Sequence, residues 1–455
     1  MNTSIIYKTR YFSILFLLLS IGFVNAKDIS EDKKSKDVVQ KSVLYSDSQK
    51  VDPWMMGFPP PKDRVIRFAD DSYRQWPQLR WSYNHMQELV PTKTVWRGDG
   101  QVNTFEESPL SLDDLTIQTT DNKKLSFQQA LDLSKTDGIL VIYRGKIVYE
   151  KYFAYTNQHT RHIIQSATKS FIGTIAEELV QTKVLDKSKL VTHYLPELRG
   201  TAWDDATLEN VMDMQVSMSF DENYLDSDSE VYNYLKSAGM IPLMAKDKGP
   251  VSIYQYLPQI KKDGEHGKVF AYREPNINVL GWVVRRVTNM SLAKLVSEWF
   301  WQPMGAERDS YFMLDGWGVE TALSMTLRDF ARFGELIRNN GLVDGKRLLS
   351  SETIETFFNG GDRDEFAQGG PKVLAGWSYK SQWWVRHHNN QTSIEARGSN
   401  GQFLYIDRNA KLVIARFGSA EKSPSSLLEP IMSPLIDTII ETVIKSTNAK
   451  EGNGK

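Results

Sequence analysis

The sequence has 455 residues and contains no cysteine. Disulfide bonds, cysteine nucleophiles, zinc–thiolate sites and iron–sulfur clusters are therefore excluded. An excess of charge of one sign is also absent, because 55 Lys and Arg residues balance 56 Asp and Glu residues and leave a net charge of −1. This balance argues against nucleic acid as a partner, since proteins that bind it present strongly basic surfaces. The 41% of hydrophobic residues is ordinary for a globular protein.

Long hydrophobic runs are also missing, except near the N-terminus. Residues 11–24 are mostly apolar, follow Lys8 and Arg10, and lead into Val24-Asn25-Ala26, which fits a small-residue cleavage site. This pattern predicts a signal peptide at residues 1–26, and hence secretion across the inner membrane into the periplasm. A transmembrane anchor is the alternative, but the run is shorter than the roughly 20 residues that a bilayer requires. No membrane span is expected in the mature chain.

The remaining chain divides by composition. Charged residues dominate after residue 26, whereas residues 54–61 are apolar and Pro-rich, which excludes a regular helix or an interior strand there. We therefore expect, after the signal peptide, a charged, mobile leader at 27–53, an extended arm rich in aromatic residues and proline at 54–125, a main domain at 126–445, and a disordered tail at 446–455.

Two predicted β-hairpins, at 138–153 and 402–417, lie at opposite ends of the main domain. Between them the apolar residues recur mostly at helical spacing, so we expect a helical lobe at about 180–375. A last helix is predicted at 427–444, bent or split by Pro430 and Pro434. This layout predicts an α+β fold, an α/β/α sandwich in which helices flank an antiparallel sheet.

Several motifs with known chemistry are absent: the Gly-x-Ser-x-Gly elbow, the phosphate-binding loop and His-Glu-x-x-His. A Ser-x-x-Lys pattern remains, and it occurs four times, at Ser30, Ser166, Ser291 and Ser419. On a helix, residues three apart share a face, so the lysine amine can reach the hydroxyl and accept its proton. Only Ser166 follows a hairpin and begins an apolar helix, so we expect Ser166 to be the nucleophile.

Three segments of the sequence together resemble a known family. They are Gln165-Ser166-Ala167-Thr168-Lys169, Phe270-Ala271-Tyr272-Arg273-Glu274 and Glu395-Ala396-Arg397-Gly398-Ser399. Their order and spacing resemble the three motifs of the serine β-lactamase and D,D-peptidase superfamily. Within it the chain looks most like the class C branch, and especially like 6-aminohexanoate-dimer hydrolases and esterases. The resemblance covers residues 54–445 and implies a β-lactamase/transpeptidase-like fold, with residues 126–445 as the catalytic domain.

The resemblance also implies a role for individual residues. It makes Ser166 the acylated nucleophile, Lys169 its partner base and Tyr272 the phenol that relays a proton. The oxyanion would bind to the N–H groups of Ser166 and Ser399. The substrate-binding residues that it implies are Tyr224, Trp384 and Gly398. The family requires no cofactor and no metal, and its substrates are small amides or esters.

The sequence departs from the family at two positions. Glu274 stands where class C enzymes have Asn, and Ala396 stands where β-lactamases have the Lys of their Lys-Thr-Gly motif. That lysine helps to bind a substrate carboxylate, a role that Arg397 could take over. These departures put β-lactamase activity in doubt.

The hypothesis that follows is an exported serine hydrolase that cleaves an amide or ester bond through an acyl-enzyme on Ser166. A carboxylesterase, a D,D-peptidase or a weak β-lactamase of the same superfamily are alternatives. A different class of protein, a cell-envelope ligand-binding or sensor module with the same fold, is also compatible with the departures. The sequence indicates neither the physiological substrate nor the oligomeric state.

Overall fold

The structure is a computed structural model that describes residues 51–388 and 391–452. The predicted signal peptide and almost all of the predicted leader lie outside the described residues. Among the residues that are described, no helix is both long and apolar enough to cross a membrane.

The described chain forms sixteen strands and fourteen α-helices, joined by short 3-10 turns and one π-helical turn, Ser297–Trp301. The strands are β1 Thr92–Val95, β2 Glu106–Glu107, β3 Thr116–Gln118, β4 Lys124–Ser126, β5 Thr136–Tyr143, β6 Lys146–Tyr152, β7 His162–Ile163, β8 Ser310–Leu314, β9 Glu320–Met325, β10 Leu342–Val343, β11 Lys346–Arg347, β12 Ser378–Lys380, β13 Trp383–His388, β14 Gln391–Gly398, β15 Gln402–Asp407 and β16 Leu412–Gly418. The helices are α1 Gln78–Ser82, α2 Met86–Leu89, α3 Phe127–Leu133, α4 Thr168–Gln181, α5 Val191–Tyr194, α6 Leu208–Met212, α7 Glu230–Ser237, α8 Ile253–Tyr256, α9 Glu274–Thr288, α10 Leu292–Val296, α11 Leu327–Arg338, α12 Ser351–Asn359, α13 Arg363–Gly369 and α14 Glu429–Gly452.

An eight-stranded sheet lies at the centre of the fold, in the order β12-β13-β14-β15-β16-β5-β6-β2. Its neighbours are antiparallel except β2, which runs parallel to β6. Both predicted hairpins belong to it, as β5–β6 and β15–β16, and β16 pairs with β5. The first hairpin and the last are therefore adjacent in space although 249 residues lie between Tyr152 and Gln402 in sequence.

Helices cover both faces of this sheet. Because strand side chains alternate between faces, Leu140 and Ile142 of β5 pack with Phe171 of α4 and Phe330 of α11. On the opposite face, Ile139 and Val141 pack with side chains of α3 and α14. The α+β prediction, a helix–sheet–helix sandwich, is confirmed.

The stretch that the sequence assigned to a helical lobe, about 180–375, also contains strands. Strands β8 and β9 join β1 and β7 in a second, four-stranded sheet of order β1-β8-β9-β7. Helix α11, from the same stretch, packs on the large sheet. The alternating pattern of β8 and β9 extends over only five or six residues. It could therefore not be distinguished from the helical pattern of the neighbouring segments.

The arm contributes to this second sheet through β1, which pairs with β8. Other arm residues, among them Tyr73, Leu79 and Tyr83, form a separate apolar cluster with Ile163 and Tyr311. Segment 73–83 is thereby fixed beside the loop that precedes α4, which matters for the site described below.

The predicted C-terminal helix is present and is not split. Residues 429–452 form one continuous helix, with Pro430 in the first turn and Pro434 inside it. Proline is tolerated in the first turn of a helix, since the N–H that it lacks has no partner there. The helix also reaches Gly452, within the range 446–455 that the sequence predicts as a disordered tail.

Helix α4 approaches the sheet more closely at Gly173 than a larger residue would allow. A Cβ at this position would lie 2.3 Å from the carbonyl oxygen of Ser381 and 2.6 Å from Cβ of Gln382. In helix α9, by contrast, a Cβ at Gly281 would lie no closer than 3.4 Å to any atom outside the backbone of its own helix.

We therefore expect opposite effects from the same substitution at these two glycines. Alanine favours a helix over glycine by about 1 kcal/mol, and Gly281→Ala should be neutral or stabilising. Gly173→Ala should lower the free energy of unfolding by about 1–3 kcal/mol, the usual cost of overpacking. Denaturant unfolding of both variants checks this, and a stabilised Gly173→Ala would contradict the close packing.

A buried charge cluster joins the sheet to α14. Arg397 donates to Glu395 at 2.7 Å and also to Glu429, and all three side chains are at most 6% exposed. Burial raises the pKa of the Glu395 carboxyl to about 7, with Glu429 adding to the rise and Arg397 opposing it. The ordinary value is 4.5, so the folded chain binds more protons than the unfolded chain between these two values.

This raised pKa predicts a pH-dependent stability. The stabilisation from protonated Glu395 is complete below its unfolded pKa and is lost as the pH rises through its folded pKa. The unfolding temperature of wild type should therefore fall relative to that of Glu395→Gln between pH 5 and pH 8. Thermal unfolding at pH 5 and at pH 8 measures this change. The control is Glu355→Gln, which removes a surface partner of Arg408. If the unfolding temperatures of wild type and Glu395→Gln differ by the same amount at pH 5 and at pH 8, the prediction is wrong.

Candidate active site

A cavity of about 340 Å³ lies where the arm, helix α4, the helical lobe and the turn after β14 meet. Ser166 and Lys169 line it from α4 and the turn before that helix, and Ser399 lines it from the far side. Its other walls are rich in tyrosine: Tyr73, Tyr83, Tyr224, Tyr232 and Tyr234. All three predicted motifs thus meet at one opening, the second of them through Glu274.

Ser166 and Lys169 are in direct contact. The Lys169 amine donates to Oγ of Ser166 at 3.0 Å, as the three-residue spacing predicts. Ser166 lies in the 3-10 turn Gln165–Ala167, immediately before α4 begins at Thr168. Lys169 is only 3% exposed, which is unusual for lysine and requires polar partners.

The turn that presents Ser166 is held from the second sheet. Oγ1 of Thr168 accepts the N–H of Leu323 in β9 at 3.0 Å, and Ile164 donates to the carbonyl of Leu323 at 2.9 Å. Gln165, directly before Ser166, has a left-handed backbone with φ of 48°. Such a conformation costs energy for a residue other than glycine and recurs at functional sites.

A second partner of Lys169 comes from the lobe. The amine donates to Oε2 of Glu274, the first residue of α9, at 2.5 Å. The backbone N–H of Glu274 in turn donates to Oε2 of Glu222 at 2.6 Å, and the hydroxyl of Tyr224 donates to Oε1 of Glu222 at 3.0 Å. Burial raises the pKa of Glu222, and the charge of Glu274 raises it further. Two carboxyl groups thus lie beside one ammonium group.

Tyr272 lies two residues before α9, and the Lys169 amine is 5.1 Å from the centre of its ring. Burial raises the pKa of the Tyr272 phenol well above its ordinary value; the charge of Glu274 adds to this, and a hydrogen bond with Ser166 opposes it. The phenol is therefore protonated at neutral pH and available as a proton donor.

Trp384 stacks on Tyr272 with ring centres 5.4 Å apart, inside an apolar cluster that includes Phe270 and Phe366. Its indole is 9% exposed and is not among the residues that line the cavity. In this geometry the ring of Trp384 supports Tyr272 from behind, and its contact with substrate stays a prediction.

The third motif forms a tightly held turn. A Cβ at Gly398 would lie 2.4 Å from the carbonyl oxygen of Ile164, so glycine allows β14 to approach the loop before Ser166. Asn400, with φ of 61°, accepts the hydroxyl of Tyr83 from the arm at 2.8 Å and donates to the carbonyl of Ala420 at 2.7 Å. Ser399 is thereby positioned opposite Ser166 by contacts on both sides of the chain.

Arg397 does not point into the cavity. Its guanidinium is buried between Glu395 and Glu429 and lies over the ring of Trp377, so it does not replace the missing lysine at position 396. The cavity instead has Arg74 of the arm, which pairs with Asp71 at 2.5 Å, and the exposed Lys422 after β16.

Sequence reasoning missed part of this arrangement. It identified Glu274 only as a departure from the family, and it assigned no role to Glu222, Tyr83 or Asn400. The contacts of Glu222 and Tyr83 span 52 and 317 residues in sequence. No local pattern could have predicted either one, whereas the position of Glu274 in the Tyr272 motif already placed it near the site.

Comparison with known proteins agrees with this architecture. The family described as Beta-lactamase matches residues 133–430. A 6-aminohexanoate-dimer hydrolase of Paenarthrobacter ureafaciens is 32% identical over 353 residues, which cover 77% of this chain and 87% of that relative.

Solved structures extend the comparison. A protein from Bacillus anthracis, described provisionally as a 6-aminohexanoate-dimer hydrolase, matches with a TM-score of 0.77 and 32% identity over 85% of this chain and 99% of its own. A penicillin-binding protein homologue from Pyrococcus abyssi matches with a TM-score of 0.52 and 16% identity over 68% of this chain and 75% of its own, and shares the fold alone. The chain therefore belongs to the beta-lactamase family and is a hydrolase of amide or ester bonds.

Proposed function

We propose that this protein hydrolyses a small amide or ester through an acyl-enzyme on Ser166, after export to the periplasm. The observation that carries the proposal is the 3.0 Å contact between the buried Lys169 amine and Oγ of Ser166 at the wall of a cavity large enough for a small substrate. The export step is supported by the predicted signal peptide at residues 1–26.

The proposed reaction has two steps. In the first, Oγ of Ser166 attacks the carbonyl carbon of the substrate and loses its proton toward Lys169, while the carbonyl oxygen becomes an oxyanion. Backbone N–H groups of Ser166 and Ser399 stabilise that charge, because preorganised donors interact with it more strongly than water does. In the second step, water attacks the acyl carbon and releases the acid from Ser166.

Tyr272 completes the first step in this proposal. Since its phenol remains protonated at neutral pH, it can donate a proton to the departing amine or alkoxide. Its stacking on Trp384 restricts the ring to one orientation next to Lys169.

The cavity also suggests which substrates fit. Its tyrosine-rich walls suit an aliphatic or aromatic acyl chain with few charges, and Tyr224 remains a proposed contact of that chain. Because Arg397 is buried and paired, the partner that β-lactamases use for a substrate carboxylate has no counterpart on β14. We therefore propose small linear amides or esters as substrates, ahead of β-lactams. The relative from P. ureafaciens is named as a hydrolase of the 6-aminohexanoate dimer.

The nucleophile is tested with a fluorophosphonate probe, which labels activated serines. We expect stoichiometric labelling of wild type and none of Ser166→Ala, read by mass spectrometry of the intact protein. Ser291→Ala is a matched control, because Ser291 belongs to the same Ser-x-x-Lys pattern but caps α10 by accepting the N–H of Lys294 at 3.2 Å. That variant should lose about 1 kcal/mol of stability and keep full labelling. Labelling that persists in Ser166→Ala would refute the proposal.

The role of Tyr272 is tested by the dependence on the leaving group. Tyr272→Phe should reduce kcat/KM for an alkyl amide by about 10²- to 10⁴-fold, the usual contribution of a proton donor. The loss should be much smaller for a p-nitrophenyl ester, because p-nitrophenolate leaves without protonation.

Tyr379→Phe is the control for this experiment. Tyr379 packs edge-on against the ring of Tyr272, but its hydroxyl donates to Gln382, away from the cavity. An equal loss for amide and ester in Tyr272→Phe would show that the residue has only a structural role.

A further inference from the structure

Glu274, which accepts a hydrogen bond from Lys169, stands where the motif of class C enzymes has Asn. The amine lies between two oxygens, Oγ of Ser166 at 3.0 Å and Oε2 of Glu274 at 2.5 Å. Lys169 and Glu274 are 3% and 15% exposed, so little water competes for this hydrogen bond. A proton that leaves Ser166 thus has a carboxylate within two hydrogen bonds.

We propose that the carboxylate of Glu274 is the terminal acceptor of the proton that Ser166 loses on acylation, with the Lys169 amine as the relay between them. This inference rests on the proposed function and specifies its base. It differs from a mechanism in which neutral lysine is itself the final base, since the lysine returns to its ammonium form within the same step.

The proton transfers balance as follows. As Oγ of Ser166 forms its bond to the carbonyl carbon, its proton moves to Nζ of Lys169, and one Nζ proton moves to Oε2 of Glu274. The π electrons of the carbonyl become the oxyanion. The products of this step are a tetrahedral adduct on Ser166, an ammonium group on Lys169 and a neutral carboxyl group on Glu274. No oxidant, reductant or metal takes part.

The neighbouring groups favour this assignment. Glu222 accepts the backbone N–H of Glu274 and fixes the start of α9. Burial and the charge of Glu274 raise the pKa of Glu222, so Glu222 binds a proton more readily than an ordinary carboxyl group does. The titratable or charged groups around Glu274 are Lys169, Glu222, Tyr224, Tyr234, Tyr272 and Tyr379.

Among these groups only Lys169 is a cation. The phenols that surround the carboxylate have raised pKa values, chiefly through burial, and stay neutral at pH 7. Within the described residues, Glu274 carries the only carboxyl group that is hydrogen-bonded to the Ser166–Lys169 pair.

The test is the pre-steady-state burst of p-nitrophenol from a p-nitrophenyl ester, which reports acylation, measured from pH 5 to pH 9. Because the relay needs Glu274 as a proton acceptor, acylation by wild type should decline toward the acid end of this range. Glu274→Gln should acylate at least about 100-fold more slowly at pH 7 and should lack this acid limb. Glu335→Gln, which removes a partner of Arg338 on α11 far from the cavity, should match wild type.

Two results would overturn the inference. One is a Glu274→Gln variant with the wild-type rate, and the other is a slower variant that retains the acid limb, because Glu274 would then only orient Lys169. Circular dichroism verifies that the variant is folded. If it is not folded, a proton inventory decides, in which the acylation rate of wild type is measured against the deuterium fraction of H2O–D2O mixtures. Two protons that move in the same step give a curved plot, whereas a straight line contradicts the relay.

The design separates this inference from the proposed function. If Ser166→Ala retains the burst, the acyl-enzyme proposal fails and the relay fails with it. If Ser166→Ala abolishes the burst while Glu274→Gln behaves as wild type, only the relay is wrong.

Discussion

The arrangement of the site depends on one buried cation. Lys169 is an ammonium-bearing side chain with 3% exposure, and such a group is tolerated inside a protein only with close polar partners. Its partners are Oγ of Ser166 and the carboxylate of Glu274, which lie on different parts of the fold. Burial of this amine therefore fixes the distance between α4 and the start of α9, and with it the opening in which a substrate would bind.

The fold supplies each of these positions from a different layer. Helix α4 packs on the central sheet, with Gly173 allowing close approach, and so fixes Lys169 relative to β14 and Ser399. The second sheet holds the turn before α4 through Leu323 and Thr168. The arm reaches across to Asn400 through Tyr83. The residues proposed for chemistry thus belong to a rigid framework in which the helical lobe contributes Glu274, Tyr272 and Glu222.

Much of this could be predicted from sequence, and the limits have physical causes. The hairpins and helix α4 follow from local periodicity, and the ordered motifs gave Ser166, Lys169 and Tyr272 as a set. Strands β8 and β9 were missed because they are short. Helix α14 was expected, and it is not split at Pro430 because that residue lies in the first turn, where proline is tolerated. The sequence offered Arg397 as a substitute for the missing lysine and Trp384 as a substrate contact, but strand alternation directs Arg397 to Glu429 and Trp384 behind Tyr272. The partnership of Glu222 with Glu274 depends on tertiary contact alone.

The covalent intermediate is the central claim of this account, and it can be observed directly. Protein quenched in acid during turnover of a slowly hydrolysed ester should gain the mass of one acyl group, and fragmentation should place that mass on Ser166. The added mass should disappear as the substrate is consumed. Turnover without an acylated protein species, or an acyl group on another residue, would contradict the account.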